Sequence, residues 1–78
     1  MKELLISIAQ GLVEDPQAVT VDQDEPDEEG VIVFHLHVAP DDMGRVIGKQ
    51  GRTARALRTL LGAASSKAHR RVMLEIVE

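Results

Sequence analysis

Apolar residues recur at helical spacing near the start of the chain, with Leu4, Leu5, Ile8, Ala9 and Leu12 sharing one side of a wheel. Lys2, Glu3, Gln10 and Glu14 occupy the rest of it. The pattern predicts an amphipathic helix over 2–14, ended at Asp15-Pro16 because the residue before proline resists helical geometry. The period then changes to two. Residues 18–22 alternate and predict a short strand. Residues 31–39 predict a longer one, with Ile32, Phe34, Leu36 and Val38 on one face and Val33, His35 and His37 on the other. Between them, residues 23–30 have the composition of a turn, so the two strands are expected to form an antiparallel hairpin.

Pro40 closes that hairpin, and Asp41 is the expected N-cap of a short helix reaching Ile47. The segment Gly48-Lys49-Gln50-Gly51 interrupts it, and a second helix is expected from Arg52 to about Ala64. Gly62 and the serines after it leave that helix's end open. Val72, Leu74 and Ile76 alternate with Met73 and Glu75 in a last strand over 71–77. The order α-β-β-α-α-β predicts one α+β domain over 1–78, a three-stranded sheet with its helices packed on one face. With 78 residues and a single aromatic, Phe34, the core must be made of Val, Ile, Leu and Ala. The absence of cysteine excludes disulfides and thiolate metal sites. Early charge at Glu3, Glu14 and Asp15 fits neither a signal peptide nor a membrane span, so a cytoplasmic protein without membrane contact is expected.

Charge changes the picture more than composition does. Residues 1–42 carry one basic residue, Lys2, against eleven carboxylates, whereas residues 43–78 carry eight basic residues against Glu75 and Glu78. The halves sum to the net charge of −4. An acidic body with one basic face argues against indiscriminate coating of nucleic acid and for a local anion-binding surface.

That surface is expected around the glycine loop. Glycine permits a sharp turn and close approach by another backbone, and the helix start that follows offers unpaired N–H groups to an anion. Lys49 adds a mobile positive charge at the tip. On the next helix, Arg52, Arg55 and Arg58 share one arc, opposite Ala54, Leu57, Leu60, Leu61 and Ala64, which are expected to face the core. A run of charge on a helix is ordinarily a solvated face. Here no carboxylate occurs between Met43 and Leu74, so these arginines lack local partners and an anionic ligand is the stronger reading.

The order of elements together with Val46-Ile47-Gly48-Lys49-Gln50-Gly51 and Leu57 resembles the KH domain, whose GXXG loop joins two helices. An extra helix and strand ahead of the core resemble the type II arrangement. The stretch from Asp42 to Arg58 resembles more closely the small bacterial single-KH-domain RNA-binding proteins of the KhpA type, and the likeness covers essentially the whole chain. The resemblance implies binding of single-stranded RNA, held by its backbone over about four nucleotides. It implies a contact set of Arg45, Val46, Ile47, Gly48, Lys49, Gln50, Gly51, Arg52, Thr53 and Arg55. The groove would be walled by Val46–Ile47 and Ala54–Leu57, with residues 65–71 as a variable loop on the far side. Many KH domains have isoleucine where Ala54 stands, which implies a shallower groove floor here. The resemblance also implies an RNA chaperone or post-transcriptional regulator linked to cell elongation and division. Its implied partners are a second copy, a Jag-type KH protein, or both. Leu60, Leu61, Ala63 and Ala64 exceed what one face of so small a domain needs, so self-association is expected near residues 60–68. The competing reading is a KH-shaped protein-interaction module that docks on a larger RNA-binding partner.

Other chemistries fit poorly. Gly44 and Gly48 are separated by three residues rather than four, and Gln50 stands where a nucleotide cradle needs Ser or Thr. His35 and His37 share a strand face but lack a predictable third metal ligand. The acidic turn has Pro26 and Asp27 where a calcium loop needs a ligand and a glycine. No arrangement of nucleophile and base is recognisable, so neither a cofactor nor catalysis is expected.

Overall fold

The alternation over residues 31–38 produces the strand around which the rest of the chain is laid. The computed structural model describes residues 1–67 and 69–77. β2 (Val31–His37) is central, flanked by β1 (Thr20–Gln23) and β3 (Arg71–Val77). β1 pairs with it antiparallel, Val21 opposite Leu36, and β3 pairs with it parallel, Phe34 opposite Leu74. Parallel neighbours require a crossover. Here α2 (Met43–Ile47) and α3 (Arg52–Lys67) supply it, while α1 (Lys2–Leu12) packs against β1 and α3 against β3. Helices therefore cover one face of a three-stranded sheet, as expected. No helix among the described residues is long and apolar enough to cross a membrane.

The core lies between those layers. Leu5 and Ala9 come from α1, Ile32, Phe34 and Leu36 from β2, Val46 from α2, Leu57 and Leu61 from α3, and Leu74 from β3. Leu5, Leu36 and Val46 have no exposed surface, so α1, the central strand and α2 meet in the same cluster.

Several boundaries differ from those expected, each for a local reason. α1 ends at Leu12, and Pro16–Ala18 form a 3-10 turn, which delays β1 to Thr20. α3 continues through Gly62 to Lys67; Ser65 is buried in its last turns, and its hydroxyl donates to the Gly62 carbonyl at 3.0 Å. Leu60, expected in the core, is 50% exposed. At about 100° per residue it stands a quarter-turn away from Leu61, on the flank of the buried arc.

The expected N-cap is also corrected. Asp41 is exposed within a 3-10 turn, Pro40–Asp42, and Asp42 precedes α2 without capping it. The Asp42 side chain instead turns inward. Its Oδ1 accepts the Glu14 backbone N–H and its Oδ2 that of Asp15, both at 3.1 Å. Arg45 Nε donates to Oδ1, also at 3.1 Å. The Glu14 amide is the chief reason the Asp42 carboxyl is held below its ordinary 3.8; burial opposes it, and Asp15 and Arg45 add to it.

The uncovered sheet face is polar at its centre. His35 Nε2 lies 3.0 Å from Asp24 Oδ2, and its Nδ1 lies 3.6 Å from Glu75 Oε2 on β3. His37 Nε2 lies 3.1 Å from Asp22 Oδ2. The hydrogen bond to Asp24 raises His35 above its ordinary 6.5, burial opposes this, and the charges of Asp24, Glu75 and Asp22 add to it.

These shifts act at opposite ends of the pH scale. The raised His35 stabilises the fold fully below 6.5 and loses that contribution as pH rises through its folded value. The depressed Asp42 contributes above 3.8 and loses it as pH falls through its folded value. Thermal melts followed by circular dichroism should show Tm falling as pH rises from 6.5 into the alkaline range. His35→Gln should flatten that limb and leave the acid limb intact; an unaltered alkaline limb would remove His35 as its cause.

Candidate nucleic-acid interface

α2 has five residues and ends where the Gly48 N–H donates to the Gly44 carbonyl at 2.9 Å. Gly48 then takes φ 77 and ψ 169, a region open essentially to glycine alone. Lys49–Gly51 form a 3-10 turn closed by the Gly51 N–H on the Gly48 carbonyl at 3.1 Å. Gln50 (φ 58) and Gly51 (φ 73) are left-handed. The chain thus reverses in four residues and enters α3 at Arg52.

The two glycines serve different purposes. A Cβ on Gly48 would lie 2.8 Å from the Thr53 nitrogen and overlap the Thr53 side chain. One on Gly51 would meet nothing within 4 Å. Gly48 is required by close approach and conformation together, Gly51 by conformation alone. Thr53, half-buried in the first turn of α3, packs directly against Gly48.

This geometry divides the expected contact set. Lys49 and Gln50 project from the tip and are exposed, as are Arg52 and Arg55 behind it. Ile47 is 38% exposed beside the loop. Val46 has no exposed surface and supports the loop from beneath. Ala54 and Leu57, expected to wall the groove, are buried too. Arg45 is committed within the protein, its Nη2 lying 2.8 Å from Glu14 Oε1 and its Nε bonded to Asp42.

Among the described residues, Lys49, Arg52, Arg55 and Arg58 have no carboxylate within ion-pair distance. Like charges three residues apart on a helix repel by about 0.2–0.5 kcal/mol per pair, and an anion laid along α3 relieves that repulsion. The start of α3 adds its positive dipole end, the Arg52 amide itself being bonded to the Lys49 carbonyl. The chemistry this arrangement suits is a phosphodiester backbone passing over the Gly48–Gly51 turn.

The far side is shorter than expected. Ser65–Lys67 belong to α3, and Ala68 lies outside the described residues. His69 (φ 58) and Arg70 close the helix by donating to the Ser66 and Ser65 carbonyls. A cavity of about 330 Å³, lined by Lys2, Phe34, Arg70 and Val72 among others, includes no residue of the Gly48–Gly51 turn. In the segment expected to self-associate, Leu61 is buried, Ala64 half-buried, and Leu60 and Ala63 exposed.

Sequence reasoning missed the Asp42–Glu14–Arg45 cluster. Its partners lie 27 and 28 residues apart, and the one local signal was the Asp42/Arg45 spacing of three.

Comparison with known proteins adds findings of three kinds. The family model described as KhpA/KhpB, KH domain, matches residues 2–76. The protein named RNA-binding protein KhpA in Clostridium acetobutylicum is 51% identical over 77 residues, covering 99% of this chain and 100% of that one. The protein of the same name in Listeria monocytogenes serovar 1/2a is 46% identical over 78 residues, covering both chains fully. Among solved structures, an Era variant from Aquifex aeolicus bound to GDP and aluminium fluoride superposes with TM-score 0.59 at 22% identity. That match covers 96% of this chain and 28% of the longer Era chain. Era in complex with MgGDPNP and nucleotides 1506–1542 of 16S ribosomal RNA gives TM-score 0.57 at 20% identity. At such identities the Era likeness is one of fold.

The loop geometry predicts unequal costs for the two glycines. Gly51→Ala should lose about 1–2 kcal/mol, the left-handed penalty alone. Gly48→Ala should lose at least about 1 kcal/mol more, because Thr53 must also move. Urea unfolding of both variants measures the difference, and equal losses would contradict the Thr53 contact.

Proposed function

The chain belongs to the KhpA/KhpB KH-domain family, and from that membership we propose that it binds single-stranded RNA across the Gly48–Gly51 turn. The observation that carries the reading is the tip of that turn. Lys49 and Gln50 are exposed there, open space surrounds the bare Cα of Gly51, and Arg52 and Arg55 stand behind without carboxylate partners among the described residues. It is a binding protein rather than an enzyme.

In this reading the Gly48–Gly51 backbone approaches the phosphates, and Lys49, Arg52 and Arg55 neutralise them. Ile47 offers apolar surface to an unstacked base, while Val46 and Thr53 hold the turn from below. A single strand is preferred because its bases are free to be splayed, whereas a duplex keeps them stacked. The acidic first half of the chain repels phosphate and confines binding to the loop side.

The wider setting is part of the same proposal. The protein acts in the cytoplasm as an RNA chaperone or post-transcriptional regulator linked to cell elongation and division. It pairs with a second copy or with a Jag-type KH protein. A footprint of about four nucleotides is small, and two linked grooves raise the effective concentration for a longer RNA. Leu60, 50% exposed on α3, favours self-association. Sedimentation at micromolar concentration should show a dimer that Leu60→Glu dissociates; a monomeric wild-type protein would remove self-association.

The RNA assignment is tested by Lys49→Asp with Gln50→Asp. The double variant should lose RNA affinity at an unchanged melting temperature, since both side chains are exposed. For the wild-type protein, three phosphates neutralised by Lys49, Arg52 and Arg55 predict log K falling with log salt at a slope of about −2. Retained affinity in the folded double variant, or a slope of zero, would overturn the assignment.

A further inference from the structure

A helix of five residues is too short to persist by its own hydrogen bonds, so α2 must be held by its surroundings. Val46 holds it from beneath. Its first turn is held by the cluster around Asp42, whose carboxylate is 4% exposed. That carboxylate accepts the backbone amides of Glu14 and Asp15, where the chain leaves α1. Arg45 closes the cluster by donating to Asp42 Oδ1 while its other arm reaches Glu14 Oε1 at 2.8 Å. Three residues beyond Arg45, the chain turns at Gly48. The cluster and the loop are thus opposite ends of one short helix, and slack at the first is transmitted to the second.

We propose that Arg45 is a positioning residue that acts through Asp42 and Glu14 to hold α2 and the Gly48–Gly51 turn in place, and is not among the phosphate contacts. The proposal rests on the RNA-binding reading above and deepens it. Arg45 differs from Lys49, Arg52 and Arg55 in the feature that makes those three available, since its guanidinium already has two carboxylate partners. Turning it toward RNA would leave the buried Asp42 carboxylate short of one of its three donors, which costs more than losing an exposed ion pair.

Positioning and contact predict different salt dependence. A residue that neutralises a phosphate contributes about 0.7 to the slope of log K against log salt for a single strand, whereas a positioning residue changes K alone. The test uses the full chain and a fluorescent, randomised single-stranded RNA of about eight nucleotides, twice the KH footprint. Arg45→Gln should weaken binding about tenfold, the cost of ordering roughly one backbone residue on binding, with the wild-type slope. Lys49→Gln, the contact control, should make the slope shallower by about 0.7. Glu14→Gln, which loosens Arg45 without removing it, should bind no more tightly than wild type. Both substituted side chains in the cluster are substantially exposed, 47% for Arg45 and 77% for Glu14, so the variants are expected to fold.

Hydrogen exchange gives a readout independent of RNA. In Arg45→Gln the Gly48 amide, bonded to the Gly44 carbonyl, should exchange faster while the amides of α3 keep wild-type protection. A slope in Arg45→Gln as shallow as in Lys49→Gln, unchanged affinity in Arg45→Gln, tighter binding by Glu14→Gln, or unaltered Gly48 exchange would each overturn the proposal. Failure of the RNA reading itself would look different, with no measurable binding by wild-type protein and the exchange result intact; the positioning role toward RNA would then fall with it.

Discussion

The backbone of Gly48 lies against Thr53, with no room between them for a side chain, and the rest of the site follows from that contact. It brings the end of α2 within reach of the first turn of α3 and makes the chain reverse in four residues. Such a reversal pushes the intervening side chains outward, which is why Lys49 and Gln50 project and why the amides at the start of α3 come close to them. The same contact places Thr53 inside and leaves Arg52 and Arg55 outside on the turns that follow. The conformation is strained at Gln50, a non-glycine residue in left-handed geometry, and that strain is sustained by structure on both sides. Below it, Val46 is wholly buried; behind it, the Asp42 carboxylate ties α2 to the exit of α1.

Charge is distributed to the same end. Carboxylates in the first half of the chain are used internally or kept away from the loop: Asp42 and Glu14 engage Arg45, and Asp22 and Asp24 engage histidines on the uncovered sheet face. The cations at the loop and along α3 are left without such partners among the described residues. Screening at physiological salt limits their reach to about 8 Å, so attraction is felt near the turn and not over the whole surface. A small acidic protein can therefore carry a selective anion site without becoming a general polyanion binder.

Much of the fold was legible because burial imposes a period. Alternation over 31–38 identified the central strand and its buried face, and the helical spacing of Leu5 and Ala9 identified α1. The loop was legible as well, since Gly48 stands where only glycine satisfies the geometry and Gly51 where a positive φ favours it. What periodicity misplaced lay at the edges of faces. Leu60 matched the apolar pattern but stands a quarter-turn from the core, and Gly62 with the serines after it left the end of α3 open although buried Leu61 and Ser65 lie on the stretch that continues to Lys67. Long-range polar contacts were beyond reach: Asp42 meets the amides of residues 14 and 15, and the spacing of residues in a chain does not reveal which distant backbone amides a carboxylate will meet. For the same reason the sequence could not show that, within the expected contact set, Arg45 is ion-paired to Asp42 and Glu14 and Val46 is wholly buried.

The central claim is that nucleic acid lies over the Gly48–Gly51 turn and the first turns of α3. Amide chemical-shift mapping tests it most directly, by titrating a short single-stranded RNA into isotopically labelled protein and following every assigned backbone signal. The account predicts shifts concentrated at residues 47–55, with the uncovered face of the sheet around His35 and His37 unmoved. Shifts centred on that sheet face, or on the cavity beside Phe34 and Arg70, with the turn silent, would contradict it.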